Sequence, residues 1–233
     1  MKTVRIALLP GDGIGTEVVA QAVRVLDAVQ ARAGLTLEYE HMQVGANEYL
    51  RGGDPMPPAV FERLRESDAI LLGAMGLPGV RWPTGVEMTP QLDLRERLDL
   101  YCGLRPIYLF HALDSPLRDR AAGSIDLLLV RESTEGLFWS RKNLPDLAAD
   151  HADDTMRITR AGSERVIRAA FRQAMARRKH LTLVDKANVL PSMAFFRMVF
   201  EQVAREFPEV ETDRVYVDAM SLYLVQRPEA FDA

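Results

Sequence analysis

Apolar residues in the first hundred positions follow two spacings, short continuous runs and a longer helical repeat. Continuous runs at Val4–Leu9 and Asp68–Gly73 predict buried strands, and Leu35–Met42 predicts a third strand. Helical spacing over Glu17–Ala33 and Pro58–Ser67 predicts the helices between them. Alternating strands and helices are typical of a parallel sheet that helices cover on both faces. The apolar residues that recur at helical spacing in the first helix are Val18, Ala22, Val25, Leu26 and Val29.

The rest of the chain also contains predicted strands and helices, but their order and spacing change near Leu104. Further strands are predicted at Leu104–Tyr108, Ser124–Arg131, Thr155–Thr159, Leu181–Asp185 and Val215–Val217. Further helices are predicted at Leu92–Tyr101, Ser163–Arg178, Pro191–Glu206 and Ala219–Gln226. This change in the order and spacing of the elements predicts two domains, residues 1–103 and 104–233. The Gly- and Pro-rich connection Met75–Thr89 is long for an α/β unit, which favours a functional loop.

Composition narrows the class of protein. The 233 residues include 29 Lys and Arg against 33 Asp and Glu, a net charge of −4. This balance argues against a nucleic-acid-binding surface. The single cysteine, Cys102, cannot form an intrachain disulfide, and no apolar run has the length of a membrane span. We therefore expect a cytoplasmic protein.

A glycine-rich loop follows the first predicted strand, where phosphate-binding loops occur. Its glycines are Gly11, Gly13 and Gly15, so the third comes one residue earlier than in the dinucleotide-binding fingerprint. Asp12 would also repel a pyrophosphate. A tight strand-to-helix turn is at least as good an interpretation as an ordinary Rossmann site.

Several charged residues stand in otherwise apolar settings. Arg95 lies on a predicted helix and Arg105 in a predicted strand, while Arg131, Lys186 and Asp218 stand where predicted strands end, and open α/β sheets bind ligands at strand ends. Arg95, Arg105 and Arg131 would form a carboxylate clamp if they converged, because guanidinium groups bind carboxylates bidentately. Nearby positive charge favours the neutral form of a lysine, which suits Lys186 to the role of a general base. Asp218 could hold a divalent cation. Each residue also has a structural interpretation, as a solvated arginine, a snorkelling lysine or a helix cap.

Seven short stretches together resemble the β-decarboxylating dehydrogenases, which include isocitrate, isopropylmalate, homoisocitrate and tartrate/D-malate dehydrogenases. The stretches are Gly-Asp-Gly-Ile-Gly at 11–15, Leu-Leu-Gly-Ala at 71–74, Leu-Arg at 94–95, Leu-Asp-Leu-Tyr-Cys-Gly-Leu-Arg-Pro at 98–106, Val-Arg-Glu-Ser-Thr-Glu-Gly at 130–136, Asp-Lys-Ala-Asn-Val at 185–189 and Val-Asp-Ala-Met at 217–220. They follow the family's order and spacing. The resemblance implies an isopropylmalate-dehydrogenase-like two-domain α/β fold with a parallel or mixed sheet, which is not a true Rossmann fold.

The resemblance also implies a reaction, the oxidative decarboxylation of a malate-type 2-hydroxy acid with NAD and Mg²⁺ or Mn²⁺. It assigns substrate carboxylates to Arg95, Arg105 and Arg131, the base to Lys186 and a metal ligand to Asp218. Lys186 and Asp218 would act in the partner's site of a homodimer with shared active sites. Other substrate contacts would be Thr89, Gln91 and Asn188, and cofactor contacts would be Ile14, Met75, Gly76 and Met88.

Three departures from the family pattern qualify this prediction. Phe138 stands where the family has a proton-donating tyrosine, and phenylalanine has no proton to give. Gln91 is polar where isopropylmalate enzymes are apolar, which favours tartrate, malate or isocitrate. Family chains continue past the region of Phe231, so we expect a C-terminal truncation that removes two metal-binding aspartates and the adenosine loop. The alternative function is a non-catalytic homologue or subunit that binds a di- or tricarboxylate.

Overall fold

The computed structural model describes residues 2–143, 146 and 148–233, and the chain divides into two compact units, Met1–Leu98 and Asp99–Ala233. The division lies five residues before the predicted boundary after Gly103 and leaves strand β4 (Cys102–Tyr108) whole in the second unit. Tyr101 belongs with that unit because it packs against its core and its carbonyl accepts a hydrogen bond from Ser133 N at 2.8 Å.

The first unit is a parallel three-stranded sheet with helices, as the alternating pattern predicted. Its elements are β1 (Lys2–Leu9), α1 (Ile14–Gln30), β2 (Leu35–His41), α2 (Ala46–Gly52), α3 (Pro58–Arg65), β3 (Ala69–Leu72) and α4 (Pro90–Arg97). The strand order is β2-β1-β3, and the core joins Leu9 of β1 to Phe61 and Leu64 of α3. Helix α4 ends before the predicted Tyr101 because Asp99 has a left-handed backbone, φ 50°.

The second unit combines an antiparallel hairpin with a parallel strand pair. Its main elements are β4, β5 (Asp126–Glu132), α5 (Arg160–Met175), β6 (His180–Asp185), α6 (Pro191–Ala204), β7 (Glu211–Tyr216) and α7 (Val217–Gln226). Strands β4 and β5 run antiparallel, and β6 and β7 run parallel. Helices α5 and α6 share a core around Phe171, Val199 and Phe200. No helix in the described part of the chain is long and apolar enough to cross a membrane.

One prediction from the apolar pattern was wrong, and one predicted helix is only sparsely buried along its apolar stripe. No strand forms over Thr155–Thr159, because there the backbone makes an isolated bridge between Arg157 and Gly136 and no longer ladder. Helix α1 forms, but its buried side chain is Val19, while Val25 of the predicted stripe is 62% exposed. Periodicity located the helix without showing which face is covered in this structure.

The C-terminal residues of the chain connect the hairpin to the parallel pair. Leu128 N of β5 donates to the Asp232 carbonyl and Thr182 N of β6 donates to the Ala233 carbonyl, both at 2.8 Å. The buried Asp232 carboxylate accepts from Arg177 Nε and from Arg178 N, each at 2.8 Å. These bonds hold β5 and β6 on either side of one extended segment.

The glycine-rich loop is a tight turn organised by the inward-facing carboxylate of Asp12. Asp12 is 1% exposed, and its oxygens accept from Ala46 N at 2.7 Å, Asn47 N at 2.8 Å and Gly76 N at 2.8 Å. The first two donors are the start of α2, which the apolar pattern did not predict. A Cβ on Gly11 would lie 2.1 Å from the Ala74 carbonyl oxygen, so the turn requires glycine there. The structure favours the tight-turn interpretation, with Asp12 directed away from solvent.

We expect Asp12→Ala to lower the free energy of unfolding by about 3 kcal/mol, because three backbone donors lose a charged acceptor. Chemical denaturation monitored by circular dichroism measures the change. Glu17→Ala, on the exposed surface of α1, is the control and should change stability by less than about 0.5 kcal/mol. Equal effects of the two substitutions would contradict the structural role of Asp12.

Candidate active site

Arg105 and Arg131 lie on one face of the β4–β5 hairpin. Arg105 pairs with Leu129, and Arg131 pairs with Gly103, so the two arginines are diagonal neighbours in the antiparallel register. Diagonal residues of this kind lie about 7–8 Å apart, within reach of long side chains. Gly103, directly opposite Arg131, has no side chain to occupy the space beside the guanidinium. Both arginines are exposed, so this face can present two positive charges to a dianionic ligand.

The two acids that follow Arg131 build the loop around it. Glu132 accepts from Thr134 N at 2.8 Å and from Thr134 Oγ1 at 2.6 Å. Glu135 accepts from Thr159 N at 2.8 Å and from Thr159 Oγ1 at 2.5 Å, just before α5 begins. Both carboxylates therefore have structural roles. The Arg131 guanidinium lies over the Phe138 ring, 5.1 Å from its centroid.

Lys186 and Asp218 form an ion pair where β6 and β7 end. These strands are parallel neighbours with Asp185 opposite Tyr216, so the residues that follow them leave the sheet at the same edge. Lys186 Nζ donates to Asp218 Oδ1 at 2.6 Å. The hydrogen bond from Lys186, followed by one from the backbone N–H of Asp218 itself, lowers the pKa of the Asp218 carboxyl below its ordinary value. The pair places an amine and a carboxylate within reach of one ligand.

A second, buried ion pair lies directly behind Lys186. Arg197 of α6 donates from Nε to Asp185 Oδ2 at 2.8 Å and from Nη2 to Asp185 Oδ1 at 2.7 Å. The Asp185 side chain is 0% exposed. These hydrogen bonds raise the pKa of the Arg197 guanidinium, so it stays charged. The sequence analysis did not identify this pair. Two features could have indicated it: Asp185 is an acid at the end of an apolar strand, and Arg197 is a single arginine within the apolar run of α6.

A cavity of about 280 Å³ lies between the ends of β5 and β6. Arg131 and Glu132 line it from one strand, Val184 from the other, and Met193 and Phe196 from α6. Arg131 and the strand that leads to Lys186 therefore border the same space within the second unit.

The amino-acid sequence matches one family of known proteins over nearly its whole length. The family model for isocitrate/isopropylmalate dehydrogenase matches residues 5–233. The chain belongs to this family. Its members include a 3-isopropylmalate dehydrogenase of Moorella thermoacetica, 44% identical over 98% of this chain and 66% of that protein. Another, from Aquifex aeolicus, is 39% identical over 100% of this chain and 65% of that protein. The chain thus spans about two-thirds of the length of these relatives.

Solved structures of the isocitrate/isopropylmalate dehydrogenase family share the fold. An isocitrate dehydrogenase from Methylococcus capsulatus has a TM-score of 0.84 and 33% identity, covering 100% of this chain and 65% of that one. A β-decarboxylating dehydrogenase from Thermococcus kodakarensis, in its apo form, has a TM-score of 0.73 and 37% identity, covering 98% and 62%. The predicted fold class, an α/β fold of this family, is confirmed.

The predicted substrate residues of the family fall in both units. In the first unit, the backbone carbonyl of Thr89 accepts hydrogen bonds from the first turn of α4. Gln91 lies in the first turn of that helix and Arg95 in its last turn. The amide oxygen of Gln91 is buried without a hydrogen-bond partner in the described part of the chain. In the second unit, Asn188 is exposed in the turn after Lys186. The structure brings Arg105 together with Arg131, and Lys186 with Asp218; convergence with Arg95 stays a prediction.

The predicted cofactor residues differ in their accessibility. Ile14 is 58% exposed at the start of α1. Gly76 donates its N–H to Asp12, and Met75 packs against the core of the first unit. Met88 is buried, which makes its side chain a packing group in this structure. A nicotinamide contact by any of the four stays a prediction.

We expect Lys186→Met to raise the pKa of Asp218 towards its ordinary value, because the substitution removes the hydrogen bond that lowers it. NMR titration of the carboxyl carbons measures the change. Lys179→Met is the matched control, since Lys179 pairs with Glu209 at 2.6 Å and lowers its pKa in the same way. That control should raise the pKa of Glu209 and leave Asp218 unchanged. An Asp218 titration that is the same with and without Lys186 would contradict the ion pair.

Proposed function

We propose that this protein takes part in the NAD-dependent, divalent-metal-dependent oxidative decarboxylation of a malate-type 2-hydroxy acid. The observation that carries the proposal is the Lys186–Asp218 pair at 2.6 Å. Two arginines on one face of the β4–β5 hairpin in the same unit support it. The names of the relatives, 3-isopropylmalate dehydrogenase among them, support the reaction class.

In this proposal the arginines bind and the lysine moves a proton. Arg105 and Arg131 hold the carboxylates of the substrate, and Arg95 provides a third positive charge. In its neutral form, Lys186 Nζ of the partner subunit accepts the proton of the 2-hydroxyl group, while the hydrogen bond between this lysine and Asp218 sets the direction of the amine. Carboxylate binding therefore orients the hydroxyl, and the lysine acts on it at a defined position.

The residues present fit one part of a divalent metal site. Mg²⁺ is commonly held by one or two carboxylates, water and the substrate itself, and Asp218 is an accessible carboxylate of this kind. No group of three or more His, Cys, Asp or Glu suited to a metal occurs among the described residues, so Asp218 would contribute one ligand of a larger set. Bound there, the metal would polarise the oxygen of the 2-oxo acid. NAD would accept the hydride, with Ile14, Met75, Gly76 and Met88 as the predicted contacts and Ile14 as the most exposed of them.

The choice of substrate within this class is part of the proposal. A buried amide oxygen without a partner is costly, by about 1–3 kcal/mol. The amide oxygen of Gln91 is in this state, which favours a substrate with a polar group at C3, such as tartrate, malate or isocitrate, over isopropylmalate. We also propose a cytoplasmic homodimer, in which Lys186 and Asp218 serve the partner's site.

A non-catalytic role is the second candidate, and Phe138 favours it. Phe138 lies beside Arg131, where the family's tyrosine would donate a proton, and it has no proton to donate. Under this alternative, Arg105 and Arg131 still bind a di- or tricarboxylate, and no turnover follows. Binding and turnover therefore have to be measured separately.

We expect the protein to reduce NAD in the presence of Mg²⁺ with at least one of tartrate, D-malate, isocitrate and isopropylmalate. Absorbance at the wavelength of reduced nicotinamide measures turnover, and calorimetry measures binding of the same acids. Lys186→Met should abolish turnover, whereas Lys179→Met, at a remote ion pair, should not. Binding that is lost in Arg131→Ala, without turnover, would favour the non-catalytic role. If the protein neither binds nor turns over any of the four acids, both candidate functions are overturned.

We expect Phe138→Tyr to raise turnover of the best substrate by about tenfold or more, because it supplies a general acid beside Arg131. Phe110→Tyr adds the same hydroxyl at an exposed position of the second unit and should change nothing. Steady-state kinetics with the acid identified above measures both. A rate that is unchanged or lower in Phe138→Tyr would count against the explanation that Phe138 leaves the site without a proton donor.

A further inference from the structure

The buried pair of Asp185 and Arg197 lies between the two strand ends that carry Lys186 and Asp218. Asp185 is the last residue of β6, and Tyr216, opposite it in the register, is the last residue of β7. Arg197 binds Asp185 bidentately and also lies against the Tyr216 ring, 5.2 Å from its centroid. One guanidinium therefore contacts the end of each strand.

Asp185 also fixes the backbone that follows it. Its Oδ1 accepts from Ala187 N at 3.0 Å, so the residues on both sides of Lys186 are held. The Lys186 carbonyl then accepts from Val189 N at 3.1 Å and from Leu190 N at 3.0 Å, just before α6 begins. The backbone of Lys186 is therefore held on both sides, at the position from which the side chain reaches Asp218.

We infer that Arg197, through Asp185 and Tyr216, is the positioning residue that sets the Lys186–Asp218 geometry. The inference rests on the proposed function for its catalytic meaning, but the geometry can be tested without turnover. A bidentate guanidinium pair is more than a charge: it defines an angle as well as a distance, and lysine cannot reproduce it. The competing interpretation is that the pair serves only the stability of the second unit. Removal of one partner of a buried ion pair leaves the other charge uncompensated, wherever the pair lies.

The chain offers a matched control for these two interpretations. Arg168 of α5 binds Glu206 with the same bidentate geometry, Nε to Oε2 and Nη2 to Oε1, each at 2.9 Å. This pair contacts neither Lys186 nor the ends of β6 and β7. Arg168→Lys therefore removes a bidentate pair of the same geometry, at a more exposed site of the same unit, without the proposed positioning role.

The experiment follows the Lys186 side chain by NMR in protein with ¹³C-labelled lysine. The chain has four lysines, so Lys186→Met assigns its ε-carbon signal directly. The signal in Asp218→Asn marks the position of a Lys186 without its carboxylate partner. We expect Arg197→Lys to move the wild-type signal more than half-way to that position, and Arg168→Lys to leave it in place. Circular dichroism and thermal unfolding check that each variant is folded.

Two results would overturn the inference: a Lys186 signal unmoved by Arg197→Lys, or one moved equally by Arg168→Lys. If Arg197→Lys does not fold, Asp185→Asn carries the same expectation, because it leaves no buried charge unpaired; Arg197 keeps 24% exposure of its side chain. Failure of the proposed function is separate. Turnover that survives Lys186→Met would remove the base from the mechanism and would not alter the NMR result.

Discussion

A carboxylate that is removed from water needs hydrogen-bond donors for its oxygens, because burial of an unpaired charge is costly. Asp12, Asp185 and Asp232 are each 2% exposed or less, and each accepts hydrogen bonds from at least one other helix or loop of the fold. Asp12 binds backbone N–H groups 34, 35 and 64 residues away. Asp185 and Asp232 bind Arg197 and Arg177. The loops and strand ends of both units depend on these three sites.

The candidate site contains a different kind of charged residue. Arg105, Arg131 and Asp218 are exposed, and Lys186 is only partly covered, so they can meet a ligand. The buried Asp185, paired with the partly covered Arg197, precedes Lys186 and accepts a hydrogen bond from Ala187 N. The second unit thus separates the residues that hold the candidate site from the exposed residues that could meet a ligand. Under the proposed function, this arrangement would present a hydroxy-acid substrate with a lysine and a carboxylate that are already paired.

The apolar pattern predicted most elements correctly, since strands and helices differ in the spacing of their buried residues. It missed α2, whose first two N–H groups are capped by Asp12 from another loop. The apolar stripe of α1 predicted the helix but not its burial, since Val25 is largely exposed. Local periodicity cannot show which neighbour covers a face. The strand expected at Thr155–Thr159 failed for a similar reason, since a strand needs a partner along its length.

The sequence by itself determined the alternation of elements, the family and the identities of the charged residues that could bind a hydroxy acid. Spacing and motifs carry that information because each depends on residues close together in the chain. The tertiary structure decided which charges meet. Parallel pairing of β6 and β7 placed Lys186 beside Asp218, and the hairpin register placed Arg105 near Arg131. It also turned Asp12 inward, because only folded loops could bring its three donors together.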